Sequence, residues 1–199
     1  MDIYLTSQKL DGVIDLTQPS DIVCITTAAN VYKQQSFVAD DLVWFEKQKF
    51  TATEFDLHTG TPRELSQILE NTDMMYVSGG NVFYLLQEIN KQDYQPIINN
   101  FIQKKQTLYI GASAGACILG IDIAPLSEID DPKQAPDLEQ TSGLNIVESV
   151  IVPHFDNSKY QSNISKITNS CQQAGHDILS INDNQAVTII DGVINYQQF

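Results

Sequence analysis

The strongest constraint on the fold is an alternation. Short apolar runs with β-branched residues recur along the chain, and stretches with apolar residues at helical spacing lie between them. Asp21-Ile22-Val23-Cys24-Ile25-Thr26-Thr27, Met74-Met75-Tyr76-Val77-Ser78 and Thr107-Leu108-Tyr109-Ile110 read as strands, as do the segments 3–6, 53–57, 146–152 and 178–181. Helices are expected over 32–50, 82–90, 94–105 and 158–174, with a short one after Gly115. Thr61-Pro62-Arg63-Glu64 announces another: threonine caps, proline suits the first helical position, and glutamate closes a capping box. The segments 186–190 and 193–196, joined by Asp191-Gly192, predict a terminal hairpin. Strands alternating with helices predict an α/β fold with a mostly parallel sheet covered on both faces. The 199 residues suit one domain, 1–199, with no internal repeat or linker.

One segment departs from this pattern. Residues 121–142 carry Pro125, Pro132 and Pro136, six acidic residues and a single lysine, Lys133. A long loop with little regular structure is expected there, and loops of that length in compact domains usually serve function.

Charge narrows the partners. Eleven Lys and Arg against 25 Asp and Glu give a net charge of −14. Such a chain has no general attraction for phosphate backbones or anionic membrane surfaces, so neither a nucleic acid nor a membrane is an expected partner. No apolar run approaches the roughly 20 residues of a membrane span. The start, Met1-Asp2-Ile3-Tyr4-Leu5, resembles neither a signal nor a transit peptide. Cys24, Cys117 and Cys171 form no CxxC pair, and His58, His154 and His176 show no metal-ligand spacing. A cytoplasmic protein with no metal and no cofactor is the expectation, and a homodimer is the default for an enzyme of this size.

In parallel sheets, sites lie at the carboxyl ends of strands. Three such ends stand out: Gly79-Gly80-Asn81, Gly111-Ala112-Ser113-Ala114-Gly115 and Pro153-His154-Phe155. The second has the G-x-S-x-G pattern of a nucleophile elbow, with a strand before it and small residues after. A tight turn that merely needs small residues would look the same. A serine nucleophile needs a base, and His154 is the best placed histidine. His58 sits in a turn and His176 at a helix end. The base needs a carboxylate to orient it, and Glu128, Asp130, Asp131, Asp137 and Asp156 all remain open. Backbone N–H groups of Gly79, Gly80 and Ala114 are candidates for an oxyanion hole.

Taken together, in this order and spacing, the three motifs resemble the peptidase E family of serine peptidases, which includes aspartyl dipeptidases and, more distantly, cyanophycinases. The resemblance implies a three-layer, glutamine-amidotransferase-like sandwich. It implies Ser113 as nucleophile, His154 as base, and oxyanion-hole N–H groups from Gly80 and Ala114, with Gly79 beside them. It places a third acidic residue about fifteen positions after the serine, which falls on Glu128. Asp130, Asp131 and Asp156 stay as alternatives. Asn81 and Lys159 are the candidate substrate-binding residues.

Aspartyl dipeptidases hold an acidic side chain with a basic residue expected after the histidine. The single arginine here, Arg63, lies far from that position, and only Lys159 and Lys166 follow His154 closely. Lysine lacks the bidentate fork of arginine. A dipeptidase-like serine peptidase is the reading, with the loop 121–142 walling one side of the site against long substrates. An amidase or esterase using the same triad, or an inactive binding protein on this fold, are the alternatives.

Overall fold

A computed structural model describes residues 2–8, 10, 20–104 and 106–199. Among these residues nine strands and six helices follow one another as β1 Asp2–Thr6, β2 Asp21–Ile25, α1 Ser36–Lys47, β3 Thr51–Phe55, α2 Pro62–Leu69, β4 Met74–Val77, α3 Val82–Lys91, α4 Gln95–Gln103, β5 Leu108–Ala112, α5 Ala114–Cys117, β6 Val150–Val152, α6 Gln161–Ala174, β7 Ile178–Ser180, β8 Gln185–Ile190 and β9 Val193–Gln198. The central sheet has seven strands in the order β3-β2-β4-β5-β1-β8-β9. β1 to β5 are mutually parallel, while β8 runs antiparallel to β1 and β9 antiparallel to β8. β6 and β7 form a separate parallel pair.

The apolar runs are continuous because both faces of the sheet are covered. Val23, Ile25, Met75, Val77 and Tyr109 face one layer, packed with α2, α3 and α4. Ile22, Cys24, Met74, Tyr76 and Ile110 face the other, packed on Phe45 of α1 and on Phe50. The result is a three-layer α/β sandwich with a mostly parallel sheet, as the alternation predicts.

Local chemistry accounts for several boundaries. At α2, Thr61 Oγ1 accepts from the Glu64 N–H, and the Thr61 N–H donates to Glu64 Oε2, closing the predicted capping box. At the terminal hairpin, Asp191 and Gly192 both take positive φ, 49° and 78°, as a tight two-residue turn requires.

Other boundaries shift. The strand expected over 146–152 is only Val150–Val152, and the helix expected from 32 begins at Ser36. The helix expected from 158 opens as a 3-10 turn, Ser158–Tyr160, before α6. The expected helix end at Lys105 lies outside the described residues. The loop 121–142 holds two 3-10 turns, Ala124–Glu128 and Pro132–Gln134, and one bridge between Asp122 and Ser142. It is irregular but fixed: the Leu126 side chain is buried, and the Asn81 side chain donates to the Asp131 carbonyl.

Candidate active site

Ser113 joins β5 to α5 with φ 46° and ψ −105°, a conformation that side chains rarely adopt. Packing forces the turn. A Cβ on Gly115 would fall 2.0 Å from the Val77 carbonyl oxygen, and one on Gly111 would fall 2.5 Å from the Gly115 carbonyl oxygen. The chain therefore folds back on itself where only glycine fits, and the Gly115 N–H donates to Ser78 O at 3.2 Å. The serine stands at the strand end, beside Gly79, in the wall of a cavity of about 310 Å³.

Gly80 has φ +144°, and a Cβ there would meet the Ala28 backbone at 2.2 Å. The Asn81 N–H donates to Ala28 O at 2.8 Å, so this turn is clamped against the 3-10 turn Thr27–Ala29. Among the described residues, the N–H groups of Gly79, Gly80 and Ala114 donate to no protein acceptor. Gly79 and Gly80 line the cavity; Ala114 lies behind Ser113, outside the lining. Unused N–H groups at a helix start beside a serine are what an oxyanion requires.

His154 follows β6 and takes φ 57°. Its Nδ1 lies 2.7 Å from Asp183 Oδ1 and 3.0 Å from Ser7 Oγ. The Ser7 hydroxyl donates to Asp183 Oδ1 at 2.8 Å and accepts from the His154 N–H at 2.6 Å. Asn157 Nδ2 donates to Asp183 Oδ2 at 2.6 Å. Burial by itself would raise the Asp183 carboxyl, but hydrogen bonds from Ser7, Asn157 and His154 outweigh it and hold Asp183 below its ordinary value. A carboxylate on Nδ1 fixes the proton there and leaves Nε2 as the basic nitrogen. Ser113 and His154 line the same cavity, with no direct hydrogen bond between their side chains.

The carboxylate expected at Glu128 stands elsewhere. Its side chain pairs with Lys166 Nζ at 2.8 Å, with the lysine 63% exposed, and Asn163 donates to its backbone carbonyl. The loop carries Glu128 toward α6, and its side chain does not bond to the histidine. Asp131 accepts from the Lys133 N–H and caps a turn, while Asp156 accepts from the Asp183 N–H at 2.9 Å. Asp130 lines the cavity but bonds to the Val82 N–H.

Asn81 is engaged within the fold. Its side chain is consumed by structure, accepting from the Tyr84 N–H to cap α3 and donating to Asp131 O. Lys159 is not among the residues lining the cavity; its Nζ lies 4.9 Å from the centroid of the Tyr160 ring, which does line it. Cys117, one turn past Ser113, is buried, and burial pushes its thiol well above the usual range, which makes it packing.

Ser7, Asp41, Asn157 and Asp183 were not singled out from the sequence. Tertiary pairing brings Asp183 into place: β6 and β7 pair in parallel, with Val152 opposite Ser180, so the residues just past each strand meet. Asp183 and His154 are those residues. Among the described residues, no group of three or more His, Cys, Asp or Glu could hold a metal, and no helix is long and apolar enough to cross a membrane.

Comparison with known proteins gives the class first. A crystal structure of a candidate peptidase E protein from Listeria monocytogenes superposes with a TM-score of 0.88, at 26% identity over 100% of this chain and 98% of that one. An uncharacterized peptidase of Listeria innocua is 30% identical over 200 residues, covering 94% of this chain and 95% of the relative. One of Pasteurella multocida is 36% identical over 150 residues, covering 75% and 72%. The fold and these relatives define a hydrolase acting on peptide bonds. The sequence profile of peptidase family S51 matches residues 6–196, and the chain belongs to that family of serine-type peptidases.

Proposed function

We propose that this peptidase hydrolyses short peptides, as a dipeptidase does, with Ser113 as nucleophile, His154 as general base and Asp183 as the carboxylate that orients His154. The observation that carries the reading is the convergence of three strand ends on one cavity: the Ser113 elbow, the Gly79-Gly80 turn and the carboxylate-bound His154. The Ser113 hydroxyl gives its proton to His154 Nε2 as Oγ bonds to the scissile carbonyl carbon. Free N–H groups beside it take the oxyanion. The tetrahedral intermediate collapses with loss of the C–N bond, and His154 passes the proton to the leaving amine. A water molecule then repeats the sequence on the acyl-enzyme and frees the acid. Asp183 keeps the proton on Nδ1 throughout and stabilises the imidazolium.

The preference for short substrates rests on volume. About 310 Å³ lies at the small end for ligand pockets, and Ile129 of the loop 121–142 forms part of the wall. The test is turnover of a panel of X-Leu dipeptides beside longer peptides and simple esters. Ser113→Ala is expected to lower kcat by roughly 10⁴-fold or more. Turnover of long peptides at equal kcat/KM would defeat the short-substrate reading. Turnover of esters alone would move the protein to an esterase.

A further inference from the structure

The cavity around Ser113 has an electrostatic character that peptide hydrolysis itself does not require. Two carboxylates line it, Asp41 from α1 and Asp130 from the loop 121–142, and no described lysine or arginine does. Among the described residues, Asp130 accepts one hydrogen bond, from the Val82 N–H to Oδ2 at 2.8 Å, and its Oδ1 has no protein donor. Asp41 accepts from the Tyr76 hydroxyl through Oδ2, and among the described residues its Oδ1 is likewise without a donor. Neither makes an ion pair among the described residues. Two lysines that follow His154 are engaged elsewhere: Lys166 pairs with Glu128, and Lys159 lies against Tyr160.

Carboxylates with vacant lone pairs, half withdrawn from water, are costly unless a cation joins them. Burial pushes both Asp41 and Asp130 up to about 6, so both are ionised at neutral pH and ready to pair. The rings of Tyr32, Phe37 and Tyr160 complete the wall, and aromatic faces also attract cations. We propose that this cavity selects substrates by a positively charged group, an ammonium or guanidinium, held between Asp41 and Asp130 and the aromatic wall. An acidic substrate side chain would meet like charge there. The proposal rests on the peptidase reading of the same cavity and names its substrate class.

The charge can come from the peptide's α-ammonium or from a basic side chain, and the test separates the two. Ser113→Ala protein is titrated calorimetrically with Lys-Leu, norleucyl-Leu, Ala-Leu, N-acetyl-Ala-Leu and Asp-Leu, so that binding is read without turnover. Lys-Leu binding well above norleucyl-Leu assigns the side chain; Ala-Leu binding well above its acetylated form assigns the α-ammonium. In either case roughly 10-fold or more is expected, and Asp41→Asn or Asp130→Asn in that background should cut the difference by roughly 10-fold. Both asparagines keep an oxygen for Tyr76 or Val82, and near-UV circular dichroism checks that they fold. As a second measurement, the advantage of the cationic peptide should shrink with added salt.

Equal binding of charged and uncharged peptides, tighter binding of Asp-Leu, or binding of none at millimolar concentration would each overturn the proposal. Charge-selective binding without wild-type hydrolysis of any peptide would uphold it and sink the peptidase mechanism instead. Hydrolysis of blocked and neutral peptides as fast as cationic ones would do the reverse.

Discussion

Asp183 is bonded to Ser7 and His154 of the cavity wall, and Asp41 and Asp130 line the cavity themselves, yet their surroundings drive them in opposite directions. Asp183 takes hydrogen bonds from Ser7, His154 and Asn157, and lies below its ordinary value despite burial. Among the described residues Asp41 and Asp130 have one donor each, Tyr76 and the Val82 N–H, and burial carries both to about 6. Deeper burial with a single donor raises Asp41 and Asp130, while shallower burial with three donors keeps Asp183 comfortable as an anion. One corner is finished, and suited to steadying the charge that forms on His154. The other is unfinished, and suited to a charge that arrives with a ligand.

The largest effect expected from breaking this contrast is at the finished corner. Asp183→Asn removes the acceptor that fixes the His154 tautomer, and kcat should fall by roughly 10³- to 10⁴-fold. Glu128→Gln, measured beside it, should leave kcat within about twofold, because an exposed pair with Lys166 contributes little. The reverse ordering would return the orienting role to Glu128.

At the unfinished corner the readout is stability against pH. Burial, reinforced by Asp40, raises Asp41 from 3.8 to about 6, so between these values the folded protein holds a proton that the unfolded chain has lost. The stability it contributes is complete below about 4 and is lost as pH rises through about 6, by at most roughly 3 kcal/mol. Asp41→Asn should flatten that slope in denaturant titrations at pH 4 to 7, leaving the share due to Asp130. An unchanged slope would show that Asp41 is well solvated. A smaller loss than at Asp183 is expected at Ser7. Ser7→Ala leaves the His154 N–H without its acceptor and strips one donor from Asp183, so kcat should drop roughly 10-fold with KM little moved. A change confined to KM would place Ser7 with substrate instead of with the histidine.

Local patterns carried much of this protein. The apolar runs around Val23, Met75 and Tyr109 specify buried parallel strands, because a strand covered on both faces needs apolar residues at successive positions. Thr61 to Glu64 specify the start of α2 through contacts within one turn. Gly111, Ser113 and Gly115 mark the elbow, since close backbone approach leaves glycine no substitute. His154 was legible from its place after an apolar run.

The partner of His154 was not legible in the same way. Glu128 fits a count along the chain, but the count runs through a loop whose path is set by Asn81, Asn163 and Lys166. Asp183 lies 29 positions beyond His154, and only the parallel pairing of β6 with β7 brings the two strand ends together. Ser7 is 147 positions from His154. Asn81 looks free in sequence and is consumed in the fold. The sequence determined the sheet, the elbow and the histidine, because those follow from periodicity and steric fit between near neighbours. The orienting carboxylate and the charge of the cavity wall were decided by tertiary structure, because a side chain's electrostatic state depends on donors contributed by distant segments.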